Sequence, residues 1–200
     1  MYYPGEAALG LVNLYDLDPN PNWLRSAGRA LRYLANNRVE LTRVPADHWA
    51  LIATARILPY CNGQDCGASR EELVHHAIQI CNSILRDQVS GSAAAGLDGA
   101  FDFDGRTTSV ATRSEGLEGA LEFLMRSELR DKVEAAAGRA VAFLLRVQLV
   151  SGVHAGGMPG AMSVRARENS EIRIDYVQHA LCAWLGYASR VPETRARSSP

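Results

Sequence analysis

The 200-residue sequence has few cysteines, few aromatic residues and no excess of charge of either sign. Four cysteines are too few to form the disulfide scaffold of a chain of this length. The 21 basic residues, of which Lys132 is the single lysine, are balanced by 22 acidic residues, and the net charge is -1. A strongly basic surface is therefore missing, and we expect no nucleic-acid partner.

Long hydrophobic runs are missing as well. No stretch approaches the roughly 20 consecutive apolar residues that cross a bilayer. The N-terminal residues Met1-Tyr-Tyr-Pro lack the charged and apolar regions of a signal peptide. We therefore expect no membrane partner and a cytoplasmic location for the chain as given, which an upstream segment with its own signal would change.

What the sequence does contain is helical periodicity. Seven segments carry apolar residues at the spacing of an amphipathic helix, and none alternates like a strand. These segments cover residues 5–18, 22–37, 46–59, 69–89, 112–127, 130–150 and 174–190. The sequence therefore predicts one all-α domain over residues 1–191, followed by a flexible polar tail at 192–200.

An internal repeat organises these segments. The block 88–124 aligns with the block 148–184 at an offset of 60 residues, and each block opens on a glutamine followed by a glycine-containing loop. Within the loops, Asp98-Gly-Ala-Phe101 matches Ala155-Gly-Gly-Met158. An Ala-Leu step recurs in the first, third, fifth and seventh segments, which we expect to be parallel helices in one layer of stacked αα-hairpins. The other three helices should form the solvent-side layer.

The segment from Gln148 to Gly160 supports a more specific fold. Its glutamine followed by Gly156-Gly-Met-Pro-Gly160 resembles the repeat of terpenoid cyclases and protein prenyltransferases, and also the loops of six-hairpin glycosidases and uronyl epimerases. The resemblance covers about residues 70–190. It implies an (α/α) toroid with its site at the mouth, where the N-termini of the inner helices gather.

Two features depart from these families. The acid-rich catalytic motif of the cyclases is absent, and about seven helices are too few to close the ring. We therefore expect an incomplete toroid arc. The chain could be the C-terminal part of a larger protein that lacks its N-terminal half here, an open arc, or one copy in a homo-oligomer.

The predicted mouth collects polar side chains from the starts of the inner helices. Asp175 and His179 are four residues apart on one helix face, and Glu115 is the repeat equivalent of Asp175. The candidate acid–base residues are accordingly Asp175, His179, Glu115 and Glu118. The candidate substrate-binding residues are Glu6, Asp47, His48, Trp49, Arg113, Arg173, Tyr176 and His154. Helix capping is the simpler interpretation of each single carboxylate. For Asp175 and His179, an oriented acid–base pair and an internal hydrogen bond that ties the last helix to its neighbour are equal alternatives.

Three other motifs allow more than one interpretation. The loop acids Asp98, Asp102 and Asp104 could bind Ca²⁺ or Mg²⁺, although aspartates that cap backbone amides are commoner in such a turn, and we expect no cofactor. Cys61 and Cys66 could form a local disulfide or remain thiols. The adjacent His75 and His76 lie on a predicted outer helix and should face solvent.

These observations rank three functions. The first hypothesis is the catalytic or substrate-binding part of a toroid enzyme that acts on a carbohydrate, with a small-molecule or oligosaccharide ligand and carboxylate/histidine acid–base chemistry. The second is a terpenoid-cyclase-like enzyme. The third, from another class, is a non-catalytic helical-repeat module that binds a protein or glycan.

Overall fold

The protein is all-helical over residues 3–91, 96–162 and 171–191, the ranges that this computed structural model describes. The seven α-helices in these ranges are α1 Tyr3–Leu17, α2 Pro21–Arg38, α3 His48–Ile57, α4 Arg70–Asp87, α5 Thr107–Leu121, α6 Glu128–Val147 and α7 Ile174–Arg190, with a short 3-10 helix at Tyr60–Asn62. Within those ranges β-pairing is limited to two isolated bridges. The all-α prediction is confirmed, whereas the predicted tail at 192–200 lies outside the described residues.

Side-chain caps fix the starts of four helices. Asn20 accepts a hydrogen bond from the backbone of α2, Asp47 from that of α3 and Ser127 from that of α6. At α4 a full capping box forms, because the Ser69 hydroxyl accepts from Glu72 N while the Glu72 carboxylate accepts from Ser69 N. Each cap satisfies amide groups that have no partner inside the helix.

Helices α1, α3, α5 and α7 form one layer and run parallel. Contacts between successive helices advance in the same direction along both members of each pair. Between α1 and α3 they are Gly5 with Ala50 and Asp16 with Arg56. Between α5 and α3 they are Gly116 with His48 and Gly119 with Ile52, and between α5 and α7 they are Glu115 with His179 and Glu118 with Arg190. This arrangement agrees with the single parallel layer that the repeat predicts. Helices α2, α4 and α6 pack behind it as the second layer.

The loop after α4 is held by a small set of hydrogen bonds. Val89 N donates to Ala100 O at 2.8 Å, and Gly99 N donates to Val89 O at 3.0 Å. The Gln88 side-chain amide donates to Gly99 O at 3.4 Å. Gly99 has a positive φ of 92°, a conformation that glycine adopts without a steric penalty.

The loop after α6 repeats these bonds. Leu149 N donates to Gly157 O at 3.0 Å, Gly156 N donates to Leu149 O at 2.7 Å, and the Gln148 amide donates to Gly156 O at 3.2 Å. Gly156 has a φ of 86° and occupies the position of Gly99. The loop match read from the sequence is therefore a structural equivalence.

Helix α5 begins and ends earlier than expected. It spans Thr107–Leu121, whereas the periodicity predicts residues 112–127. Its first turn is fixed from outside the helix, since Thr107 N donates to Gly160 O at 3.0 Å and the Thr107 hydroxyl donates to Pro159 O. Glu115 consequently lies in the middle of α5, and its predicted placement in the first turn is wrong.

Apolar side chains are exposed at both ends of the parallel layer. On α1 they include Tyr3 and Leu17, and on α7 they include Leu181 and Leu185. Such exposure is expected because α1 and α7 are the outermost of the described helices in this layer. None of the helices in the described ranges is both long and apolar enough to cross a membrane.

Close packing of α5 on α3 supplies the first prediction. A Cβ added at Gly116 would lie 2.9 Å from both Cα and Cβ of His48, so Gly116→Ala should force the two helices apart. We expect the free energy of unfolding to fall by about 1–3 kcal/mol. Gly119→Ala is the matched control on the same helix, because its Cβ would lie 3.4 Å from Ile52 Cα. Chemical denaturation measures both, and an equal loss of stability in the two variants would contradict the prediction.

Candidate functional site

Three helices bring two histidines and a carboxylate together. His48 lies in the first turn of α3, Glu115 in the middle of α5 and His179 in the second turn of α7. His179 Nδ1 lies 2.8 Å from Glu115 Oε2. The His48 and His179 rings are nearly perpendicular, with centroids 5.6 Å apart. Two sequence-predicted acid–base residues and one predicted binding residue therefore meet at one point.

Trp49 forms an aromatic wall beside both histidines. Its ring centroid lies 4.5 Å from that of His48 and 5.9 Å from that of His179. The side chain is half-buried, so part of the ring is accessible. A flat, partly exposed indole next to polar groups is suited to packing against the apolar face of a ligand.

His48 is held in its neutral form. Burial, with smaller electrostatic contributions from His179 and Arg113, lowers the pKa of His48 to about 3. Its Nε2 is buried and has no hydrogen-bond partner in the described parts of the chain. At neutral pH this nitrogen belongs to an uncharged imidazole.

The contact with Glu115 defines the state of His179. A neutral imidazole that donates from Nδ1 to a carboxylate leaves its Nε2 as the acceptor. The Cys182 thiol, one turn further along α7, also lies beside Glu115, and burial and the Glu115 carboxylate raise the pKa of that thiol. Glu115 is thus the centre of a small polar group on α5 and α7.

A cavity of about 200 Å³ opens next to Glu115 between α3, α5 and α7. Glu118, Glu122, Cys182 and Arg190 contribute to its wall. Arg190 binds Glu118 through two contacts, with Nη2 to Oε1 at 2.7 Å and Nε to Oε2 at 2.5 Å. The buried carboxylate of Glu118 is therefore paired with a fixed positive charge.

Asp47 supports this site from behind. It is fully buried, its Oδ1 accepts from Ala50 N at 3.1 Å as the cap of α3, and its Oδ2 accepts from Arg38 Nη2 at 2.8 Å. The structure thus places this candidate substrate-binding residue in the helix-cap arrangement. Because the cap precedes His48 directly, it fixes the first turn on which His48 lies.

His76 completes the buried group around Arg38. Arg38 Nη1 lies 3.3 Å from His76 Nε2, and this nitrogen must accept because a guanidinium can only donate. Burial and the charge of Arg38, with a smaller contribution from His75, lower the pKa of His76 to about 4. The expectation that His76 faces solvent is wrong, whereas its neighbour His75 is exposed.

Asp175 belongs to a separate group at the start of α7. Its Oδ1 accepts from Arg173 Nε at 2.9 Å, and the Arg173 guanidinium lies 5.3 Å from the Tyr176 ring centroid. Three predicted residues thus meet here, and the carboxylate that contacts His179 is Glu115. In place of the predicted pairing of Asp175 with His179, the structure has a contact between α7 and α5, from His179 to Glu115.

The remaining predicted binding residues lie on three separate elements. Glu6 is exposed in the first turn of α1, and His154 is exposed in the loop after α6. Arg113 lies on α5 with its guanidinium 5.5 Å from the Phe101 ring centroid, and it donates to Ser109. Arg113 influences His48 through its charge.

The acidic loop before α5 has the hydrogen bonds of a capped turn. Asp102 Oδ1 accepts from Asp104 N at 3.2 Å and from Arg106 N at 3.0 Å, and Asp104 lies 3.7 Å from the Arg106 guanidinium. Asp98 accepts from Arg146 through its backbone carbonyl. Cation binding by this loop stays a prediction.

The two loop cysteines carry free thiols. Cys61 donates to the Ile57 carbonyl at 3.4 Å and lies in contact with Cys66. Of the two alternatives that the sequence left open, a disulfide or two thiols, the structure has the two thiols.

Sequence reasoning missed the arginines that hold the site together. Arg38 binds Asp47, and Arg190 binds Glu118. No local spacing in the sequence identifies either arginine as the partner of its carboxylate. Cys182 did carry a signal, because it lies three residues after His179 and therefore on the same helix face.

Comparison with known proteins supports the fold. No family model and no curated protein matches the chain. A solved structure of "a possible member of GH105 family" from Salmonella enterica subsp. enterica serovar Paratyphi A is similar, with a TM-score of 0.58 and 12% sequence identity. The likeness covers 92% of this chain and 54% of that chain, so this chain spans about half the length of the protein that it matches. At this identity the likeness shows the fold alone, an arc of an (α/α) toroid.

The buried His76 supplies a prediction about acid stability. Between pH 6.5 and about 4 the unfolded chain binds a proton at residue 76 that the folded chain excludes, so the contribution of His76 is complete above pH 6.5 and is lost as the pH falls to 4. This shift corresponds to about 3 kcal/mol. His76→Gln, whose amide oxygen can accept from Arg38, should lose correspondingly less stability over this range than the parent chain.

Urea denaturation at several pH values measures this difference. His75→Gln is the matched control on the same helix, because its side chain is exposed. Parallel stability curves for the parent chain and His76→Gln would contradict the prediction.

Proposed function

We propose that this chain supplies part of the active site of a carbohydrate-active enzyme in which Glu115 and His179 act as a coupled acid–base pair. The observation that carries the proposal is the 2.8 Å contact between His179 Nδ1 and Glu115 Oε2, in a fold similar to that of the possible member of the GH105 family. A carboxylate on Nδ1 fixes the imidazole tautomer and stabilises the imidazolium. His179 Nε2 can then accept a proton from a sugar hydroxyl or an activated water and later return it.

The position of the pair supports this role. Glu115 lines the cavity between α3, α5 and α7, whose volume is about 200 Å³. Ligand pockets usually enclose roughly 300–1,000 Å³. A smaller cavity is what part of a toroid would provide, and the chain spans about half the length of the similar protein. Further helices, from more chain or from a second copy, would complete the pocket.

The surrounding side chains suit a polar, ring-shaped ligand. Trp49 offers an aromatic face beside both histidines. The group of Arg173, Asp175 and Tyr176 at the start of α7 combines a cation, an anion and a phenol within one helical turn. We propose that this group contacts a sugar at the mouth. The Glu118–Arg190 pair presents a fixed charge arrangement to the cavity instead of transferring protons.

Charge in the cavity argues against the cyclase alternative. A terpenoid-cyclase-like site needs an apolar, aromatic chamber, whereas Glu115, Glu118, Glu122 and Arg190 lie in the wall of this cavity. The non-catalytic helical-repeat module is therefore the alternative that the experiment must separate from an enzyme.

Turnover of an oligosaccharide panel tests the proposal. Acidic and neutral oligosaccharides are incubated with the full chain, and release of new reducing ends is measured. Glu115→Gln should lower turnover of any cleaved sugar by about 100–10,000-fold, because the amide cannot stabilise a protonated imidazole. Asp175→Asn should lower it less, since Asp175 contacts Arg173 and not the His179 ring.

His75→Gln, on an exposed face of α4, is the control for unrelated changes. Circular dichroism checks that each variant keeps its helical content. A larger loss in Asp175→Asn than in Glu115→Gln would assign the carboxylate role to Asp175. Binding of a sugar without any turnover would leave the non-catalytic module as the function.

A further inference from the structure

We infer that His48, Glu115 and His179 form a binding site for one divalent transition-metal ion, with Zn²⁺ as the ion that best suits the donors. Each residue offers one ligand atom, and the three atoms lie within 4.8 Å of one another. Across the described ranges, no other group of three histidine, cysteine or acidic side chains meets this spacing. The ligands come from three different helices, and α5 packs directly on both α3 and α7.

His48 gives a second, independent reason to place a ligand here. The residue is 7% exposed, and its Nε2 is buried without a hydrogen-bond partner in the part of the chain that the structure describes. Buried polar atoms in native proteins almost always have a partner, because an unsatisfied one costs free energy. If the ion binds His48 through Nε2, this metal bond supplies the missing partner.

The donor types select the kind of ion. Two imidazoles and one carboxylate are the ligands of zinc and related transition metals, whereas Ca²⁺ and Mg²⁺ favour sets of oxygen atoms. The inferred site is therefore distinct in place and chemistry from a calcium or magnesium site at Asp98, Asp102 and Asp104. Three protein ligands would also leave a coordination position open for water or substrate.

Small movements would complete the coordination. Zinc bonds of about 2.0–2.2 Å place tetrahedral donor atoms roughly 3.4 Å apart. His179 Nδ1 and Glu115 Oε2 would separate slightly from 2.8 Å, and the most distant pair would close from at most 4.8 Å. Both of these side chains retain some exposure, at 13% and 15%, so they have room to rotate.

Metal binding also changes which nitrogen of His179 carries the proton. In a neutral His179 that coordinates through Nδ1, the proton moves from Nδ1 to Nε2, so no proton is gained or lost. The ion would then occupy both atoms of the acid–base pair and block it. This regulatory consequence depends on the proposed function, whereas metal binding itself does not.

Direct titration tests the site. The full chain is stripped with a chelator and titrated with Zn²⁺ by isothermal calorimetry, and Co²⁺ is added separately so that its visible absorption reports the ligand geometry. We expect one ion per chain, a melting temperature that rises with Zn²⁺ concentration, and Co²⁺ bands typical of nitrogen and oxygen donors at low coordination number. Failure of the parent chain to bind an ion stoichiometrically would overturn the inference.

Variants locate the bound ion. Glu115→Gln and His48→Gln should each weaken Zn²⁺ binding at least tenfold. Glu115→Gln is the safer variant for folding, because its amide oxygen can still accept from His179. His75→Gln controls for surface histidines and Asp102→Asn for the acidic loop, and neither should change the affinity. Unchanged binding in both site variants, or an equal loss in either control, would overturn the inference.

The two proposals can fail separately. If the chelated chain cleaves a sugar in a His179-dependent reaction and binds no ion, the metal site is refuted and the proposed function stands. If Zn²⁺ binds through His48 and Glu115 while no oligosaccharide is cleaved, the metal site stands and the acid–base proposal is refuted. If both hold, added Zn²⁺ should inhibit the reaction in the parent chain.

Discussion

The close approach of four parallel helices is the constraint on which the rest of the structure depends. Glycines lie at each contact between them: a Cβ at Gly5 would meet Ala50 N at 2.7 Å, one at Gly116 would meet His48 at 2.9 Å, and one at Gly186 would meet Glu118 at 3.0 Å. With no side chain separating the helices, residues on α3, α5 and α7 come within bonding distance of one another. The site is therefore a product of backbone packing as much as of its polar residues.

The buried charges behind α3 determine orientation more than stability. Replacing a buried ion pair by apolar residues is often neutral in free energy, so the Arg38–Asp47 pair by itself is weak support for a large stabilising role. What the pair does provide is geometry. Asp47 joins the start of α3 to the end of α2, and through Arg38 to His76 on α4. His48, the next residue, therefore lies in a turn whose position is fixed by contacts among α2, α3 and α4.

Periodicity and local chemistry predicted most of the fold. The helices and the capping box at Ser69 follow from spacings of a few residues, and the matching loops after Gln88 and Gln148 follow from the repeat at an offset of 60 residues. Prediction from the sequence failed where contacts between residues far apart in the chain determine the structure. The start of α5 depends on the loop near Gly160, and the partner of His179 lies 64 residues away. Periodicity identifies the face of a helix, but the register between two helices depends on packing that a single sequence does not reveal.

The asymmetry between the two histidines gives the site its chemical character. His48 is neutral and its buried Nε2 has no hydrogen-bond partner among the described residues, whereas His179 contacts the Glu115 carboxylate and is 13% exposed. In the proposed acid–base reaction only His179 would carry a proton, whereas in the inferred metal site both imidazoles would coordinate the ion. Glu115 contacts His179 and lies within reach of His48, so both proposals depend on this one carboxylate.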